Sequence, residues 1–449
     1  MAMYLGQRSL FIQPTKIKIN LSTDHELVRL TEVLNWDELI EIAMSIREKK
    51  KANTGCDPHY RELLGGVALM AMKKVNYREA QDLICHYAPA RYLCNLMDSD
   101  WAIDHVTLFD FTQLLGEEGM SRINAHILQQ AIKEGLADPT SLMSDTTAQE
   151  AKIPYPNEVG LMNRYASMMG NCLKKAGEKF TKVKKKLKTS TSKIKGLVRN
   201  SHLFAKTKEA KRRVAKKLLH VISDIHEEIR KVIFSGSHLT SKTSQEIARL
   251  TEVMETLIPQ MRHFIETGFV ASKKIIHLMM TELYSIVRGK SGKPVEFGIK
   301  WGINRIKGGF LQGFLIDGGK HVSDKRFCIE SLKVFQEEMG QLPKIFGFDR
   351  GGYSRANVKK VLKMKIKHVG IAPKGKDKWA VSETMQTKIK KERAQVEGCI
   401  GTIKSPLYGF NKPDARSIQA MVSYGHRAIL GFNLRKLLRE QANLKTATA

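Results

Sequence analysis

PVEFGIKWGINRIKGGFLQGFLIDGG, residues 294–319, alternates its side chains and breaks twice at paired glycines. Val295, Phe297 and Ile299 fall on one side of a two-residue repeat, the period of a half-buried strand. Gly308-Gly309 turns the chain into a second apolar run, so the stretch reads as a hairpin or meander. It marks where a sheet begins, because the long segment before it has helical periodicity.

Downstream, strands and helices alternate. DKRFCIESLKVFQEEMG is a helix capped by Asp324 and ended by Gly340, and KIFGFD (344–349) is an apolar strand that delivers Asp349 to its tip. Arg350 and the turn Gly351-Gly352 follow. SRANVKKVLKMK is a helix capped by Ser354, KHVGIAP a further strand, and ETMQTKIKKERAQVEGCIGTIKSPL is helical until Pro406. Upstream, PTSLMSDTTAQEAKIPYP (139–156) reads as a short strand with Asp145 near its C-terminal end, closed by Pro154 and Pro156. Leaving out the helical excursion after it, the order is three strands, helix, strand, helix, strand, helix. That is the order of the ribonuclease H-like fold, an α+β architecture with helices over a mixed sheet.

Residues 24–138 read as an all-α region. Leu27, Leu30, Val33, Leu34, Leu39, Ile42 and Ala43 recur at helical spacing, and Asn76 and Asp104 open two short helices. Such a region either offers a helix to a DNA groove or forms a scaffold or dimer interface. Residues 160–292 form a helical insertion between the first two strands. Leu218, Ile222, Ile225, Ile229 and Val232 form one apolar stripe, and Leu250, Val253, Leu257, Met261 and Phe264 a second, as in an antiparallel helical hairpin. The division is an N-terminal arm (1–23), the helical DNA-binding or dimerisation region (24–138), the first segment of the ribonuclease H-like domain (139–159), the basic insertion (160–292), the remainder of that domain (293–440) and a flexible tail (441–449).

The 449 residues hold 75 Lys+Arg against 45 Asp+Glu, a net charge of +30, which concentrates polyanions. Nucleic acid is the commonest; a ribosome or an anionic membrane meets the same criterion. Residues 161–220 carry 19 Lys/Arg against two acids, too one-sided for ion pairs of their own. Lys184, Lys185, Lys186, Arg212 and Arg213 are the candidate DNA contacts there. Cys56, Cys85, Cys94, Cys172, Cys328 and Cys399 are scattered without a C-x-x-C pair, which argues against a zinc site or a disulfide scaffold and for a reducing compartment. No apolar run is long enough to span a membrane, and the N-terminus lacks the apolar core of a signal peptide. These features fit a cytoplasm; a bacterial one, on the nucleoid, is what the family resemblance given below implies.

In the ribonuclease H-like order the first and fourth strands are neighbours, so Asp145 and Asp349 face each other and the last helix supplies a third acid, Glu397. At 100° per residue Arg393, Glu397 and Lys404 fall at about 0°, 40° and 20°, one face reading cation, acid, cation. Gly398 and Gly401 interrupt it; a mid-helix glycine costs about 1 kcal/mol relative to alanine, so close backbone approach, to the sheet or to DNA, is expected. Three carboxylates repel unless divalent cations neutralise them. Oxygen donors suit two Mg²⁺ ions, with Mn²⁺ as a substitute, which activate a water or a 3′-hydroxyl in phosphodiester displacement. Arg393 and Lys404 then hold phosphate.

The block R-AQV-E-GCIGTI-K resembles the R-x3-E-x6-K signature of DDE transposases of bacterial insertion sequences. FDRGGY is similar to that group's element around the second aspartate, and SDTTAQEAKIPYP resembles the first-aspartate segment of the ISNCY-type subset. The N-terminal pattern is similar to the helical DNA-binding region of the same enzymes. The resemblance implies Mg²⁺-dependent nicking at transposon ends and joining to target DNA, by a dimer or larger synaptic assembly on double-stranded DNA. It also implies that Asp145, Asp349 and Glu397 bind the metal while Arg393 and Lys404 contact DNA. Two positions depart from the pattern: Lys390 stands where the group often has tyrosine, and Glu158 lies one place beyond the expected acid.

Asp317, before Gly318-Gly319, is the rival second acid and reads as a hairpin-turn residue; Glu150 lies past the active edge. RGKSGK (288–293) lacks the first glycine of a phosphate-binding loop, which falls at Tyr284. No H-E-x-x-H pattern exists among the histidines. Trp301 reads as core, Trp379 as core or a base-stacking residue in a basic loop, and Arg350 has no assigned role. Two other functions fit: a catalytically silent DNA-binding relative, and a ribonuclease H-like nuclease acting on RNA or junctions.

Overall fold

The computed structural model describes residues 20–51, 57–234, 241–287, 295–319, 321–373, 375 and 377–448. Most of the N-terminal arm, Cys56, RGKSGK and much of the turn in the insertion lie outside the described residues. The chain divides into two compact units: one comprises the residues up to Leu115 and those from Leu434, the other Gly116–Asn433.

The first unit is helical: α1 (Glu26–Val33), α2 (Trp36–Lys49), α3 (Tyr60–Lys73), α4 (Tyr77–His86), α5 (Ala88–Leu93) and the start of α6 (His105–Lys133). Asn76 opens α4 with a reciprocal capping box to Glu79, and Asp104 accepts the N–H groups of Val106 and Thr107 at the start of α6. The two units divide within α6, where Gly116 leaves the helical conformation (φ 58°, ψ −157°).

The second unit holds β1 (Asp138–Glu150), then α7 (Glu158–Lys175), α8 (Thr181–Leu203), α9 (Lys208–Phe234) and α10 (Lys242–Thr267). These four helices close a core of their own around Met169, Leu187, Leu218, Ile222, Leu250 and Leu257. The two stripes read from the sequence thus belong to a four-helix insertion. After it come β2 (Tyr284–Val287), β3 (Val295–Lys307), β4 (Leu311–Phe314), α11 (Asp324–Met339), β5 (Ile345–Phe348), α12 (Arg355–Lys363), β6 (His368–Ile371), α13 (Glu383–Ile403) and α14 (Ile418–Thr448), which from Leu434 onward belongs to the first unit. α14 continues through most of the stretch expected as a tail. No described helix is long and apolar enough to cross a membrane.

The mixed six-stranded sheet runs β2-β3-β1-β5-β6, with β4 also on β3. β1 is antiparallel to β3 and parallel to β5, and β5 is parallel to β6. β3 is long enough to pair with β2 through residues 295–298 and with β4 through 302–305. The sequence pattern predicts five strands; β2, only four residues long, falls inside the span that reads as helical insertion. Asp145 is likewise not near a strand end, since β1 continues five residues beyond it.

Trp301 and Ile303 of β3 pack with Phe410, Met421 and Ile429 on one face of the sheet, where Met143 of β1 also meets Ile389 and Val396 of α13. The Trp301 indole is fully buried and donates to Gln149 Oε1 at 2.9 Å. Trp301→Ala is expected to destabilise the chain by about 3–5 kcal/mol, read by urea unfolding, because it opens a cavity and orphans Gln149. A loss below about 1 kcal/mol contradicts this packing.

Candidate active site

The β1–β5 ladder ends at the pair Met143–Gly347. Asp145 and Asp349 each lie two residues further along, so the two carboxylates stand together where the strands part. Asp349 follows the last residue of β5 and caps a short turn, Arg350–Gly352, accepting the Gly352 N–H at 3.2 Å. Asp145 Oδ1 accepts the N–H of Thr146 at 2.7 Å. Burial pushes the Asp145 carboxyl up to about 6; Asp349 and, more weakly, Glu397 push the same way, against the Thr146 N–H and Arg393.

The last helix reaches the pair from one sheet face. Arg305 of β3 donates to Glu392 at 2.8 Å and also to Gln395, tying α13 across the sheet. One residue on, Arg393 is mostly buried, and its guanidinium lies 3.7 Å from Glu397, whose side chain is 66% exposed. Glu397 is therefore in electrostatic range of Asp145 but turned towards solvent. Among the described residues no three His, Cys, Asp or Glu side chains converge tightly enough to enclose a metal ion. The donor set nevertheless fits Mg²⁺, which takes one or two carboxylates and fills its remaining positions with water or phosphate. A desolvated carboxyl whose ionisation a second carboxylate opposes is the group a divalent cation relieves.

Lys404 closes α13 at its C-terminal cap. Gly398 and Gly401 do not meet the sheet: a methyl group on either has no described atom within 4 Å. Gly398→Ala and Gly401→Ala should each stabilise the free protein by about 1 kcal/mol in urea unfolding. If this open face receives DNA backbone, the same variants weaken DNA binding measured by fluorescence anisotropy; unchanged affinity assigns the face to solvent alone.

A fourth carboxylate, absent from the expected set, borders the pair. The N-cap of α11 is Ser323, not Asp324, and Asp324 is the first helical residue. Its Oδ1 accepts from Thr146 Oγ1 at 2.9 Å and pairs with Lys300 Nζ at 2.7 Å. The sequence signal is there, an acid at a helix start just after the sheet strands, but it is also the signal of a cap. Asp317 lies apart and pairs with Arg326 at 2.8 Å. Glu150 is buried beside Asn411.

Trp379 packs beside Met143, Ile389 and Val396 with Lys390 over its ring at 5.8 Å. Arg350 is exposed and makes no ion pair among the described residues. On the insertion, Lys184 and Lys185 are exposed, whereas Lys186 is held by the Asp224 carbonyl at 2.9 Å and by Glu228. Arg212, Arg213 and Lys216 line a cleft of about 240 Å³ with Glu209 and Ile265. Comparison with protein-family models, curated proteins and solved structures finds no match.

Proposed function

We propose that the chain is a DDE transposase of an insertion sequence, with a ribonuclease H-like catalytic domain that nicks transposon ends and joins them to target DNA. The observation that carries the reading is the Asp145–Asp349 pair at the end of the β1–β5 ladder, with Arg393 and Glu397 in electrostatic reach. The strand path β4-β3-β1-β5-β6, two antiparallel pairings followed by two parallel ones, supports the fold assignment.

Asp145 and Asp349 would hold the divalent cation, Mg²⁺ or Mn²⁺, with Glu397 contributing from α13 when its side chain turns inward. When bound, the cation supplies Lewis-acid activation at the phosphodiester. The chain's residues do the rest. Arg393 grips a phosphate oxygen pair as a fork and Lys404 adds a point charge. Asp145 must shed its proton for the cation to bind, so activity at limiting Mg²⁺ rises as pH passes about 6, and saturating Mg²⁺ moves that rise to lower pH.

The one-sided run of residues 161–220, 19 Lys/Arg against two acids, supports a DNA grip on the insertion. Residues 20–115 hold ten Lys/Arg against 15 Asp/Glu, so the N-terminal helices suit dimerisation better than a phosphate backbone. The insertion (160–292) holds 28 Lys/Arg against ten Asp/Glu, residues 293–449 hold 31 against 13, and Lys184 and Lys185 of the insertion face solvent. Replacing both with alanine should flatten the salt dependence of DNA binding by nearly one unit of log–log slope per lost contact. Deleting 174–217 is the poorer test, since it removes Leu187, Ile194 and Val214 from the core of the insertion. An unchanged slope in the double variant removes these lysines from the interface.

The whole reading is tested with labelled DNA carrying the inverted repeats that flank the coding sequence. It expects a Mg²⁺-dependent nick at the element–flank junction. Binding without cutting supports a silent relative; cleavage of RNA or junctions without end preference supports another ribonuclease H-like nuclease.

A further inference from the structure

We propose that Asp324 is a positioning residue that sets the separation of Asp145 and Asp349, with Lys300 balancing its charge. The inference rests on the reading of those two acids as a cation site. Asp324 is joined to three segments that meet there.

To β1 the link is Thr146, whose hydroxyl donates to Asp324 Oδ1 while its backbone N–H donates to Asp145. To β3 it is Lys300, largely buried and 2.7 Å from the same oxygen. To the turn after β5 it is direct packing on Gly351. A methyl group placed on Gly351 would lie 2.7 Å from Asp324 Oδ2 and 3.0 Å from Asp349 Oδ1, so glycine alone lets the two carboxylates close on that backbone. Asp349 fixes the far side of the turn through the Gly352 N–H.

Asp324 thus holds the residue beside Asp145 with one oxygen and packs the other against the turn that Asp349 caps. Thr146 and Lys300 already occupy Oδ1, which marks the group as a brace rather than a free ligand. Groups that orient metal ligands typically change affinity 10–100-fold when removed. Mg²⁺ demands near-ideal octahedral geometry at short distance, so a slackened pair should discriminate against it more than against the larger Mn²⁺.

Calorimetric titration of the full-length protein with Mg²⁺ and, separately, Mn²⁺ tests this on wild type, Asp324→Asn and Gly351→Ala. Asparagine keeps the size of the side chain and can still accept from Thr146, but loses the charge that pairs with Lys300. The alanine pushes Asp324 and Asp349 apart from the opposite side. Both variants are expected to weaken Mg²⁺ at least tenfold and Mn²⁺ by clearly less, with unfolding midpoints showing that each variant is folded. Mg²⁺ and Mn²⁺ affinities within twofold of wild type in both variants overturn the role of Asp324 alone, as does an equal loss of both cations. A wild-type protein that binds neither cation overturns the site reading as well.

Discussion

Asp349→Asn is expected to lower Mg²⁺-dependent strand cleavage by at least about 10³-fold, roughly 4 kcal/mol of transition-state stabilisation, while DNA affinity stays within about twofold. The substitution separates charge from structure. Asp349 caps the turn to Gly352 with one oxygen, and asparagine caps as well as aspartate, so the fold loses little. What disappears is the negative charge beside Asp145. The Asp145 carboxyl should therefore titrate lower in the variant, since Asp349 is the largest charged contributor to its elevation. Full cleavage by Asp349→Asn would remove it from the catalytic set and return it to the role of a turn cap.

The second large effect is on stability and has the opposite sign. Asp145 titrates near 6 in the folded chain against an ordinary 3.8. Between those values the folded chain keeps its proton while the unfolded chain has lost it. Folding therefore weakens as pH rises through that window, and the loss is complete above it. Raising the carboxyl from 3.8 to near 6 corresponds to about 3 kcal/mol. Asp145→Asn, which keeps an acceptor for the Thr146 N–H, is expected to be more stable than wild type at pH 8 by about 2–3 kcal/mol. At pH 4 the two should be nearly equal. Mg²⁺ at pH 8 should raise the wild-type unfolding midpoint and leave that of the variant unchanged, because only the wild type binds it through this carboxylate. A variant less stable than wild type at pH 8 contradicts the assignment of a buried, opposed charge.

The contrast between the two acids shows what the sequence makes legible. Asp349 ends an apolar run and precedes two glycines, so both strand and tip are readable from local pattern. Asp145 sits in SDTTAQE, whose polar residues hide how far the strand continues past it. Ser144, Thr146, Thr147 and Gln149 are all buried. Ser144 is satisfied by Asn304 at 2.5 Å and Gln149 receives the Trp301 indole, partners more than 150 positions away that no local periodicity reveals. β2 is too short to show a period. Asp324 reads as a cap because an acid before a helix ordinarily is one; its partners Lys300 and Thr146 lie 24 and 178 positions earlier. The glycines of α13 suggest close approach by the sheet or by DNA, and the sheet is not what approaches them.

The central claim is that Asp145 and Asp349 together form a divalent-cation site, and Mn²⁺ binding followed by electron paramagnetic resonance tests it without knowledge of the DNA ends. At pH 7.5 the wild-type protein should bind Mn²⁺, and Asp145→Asn and Asp349→Asn should each lose at least tenfold in affinity. Wild-type binding should weaken below pH 6 as Asp145 takes up its proton. Equal Mn²⁺ affinity in all three proteins, unchanged between pH 5 and 7.5, would contradict the account.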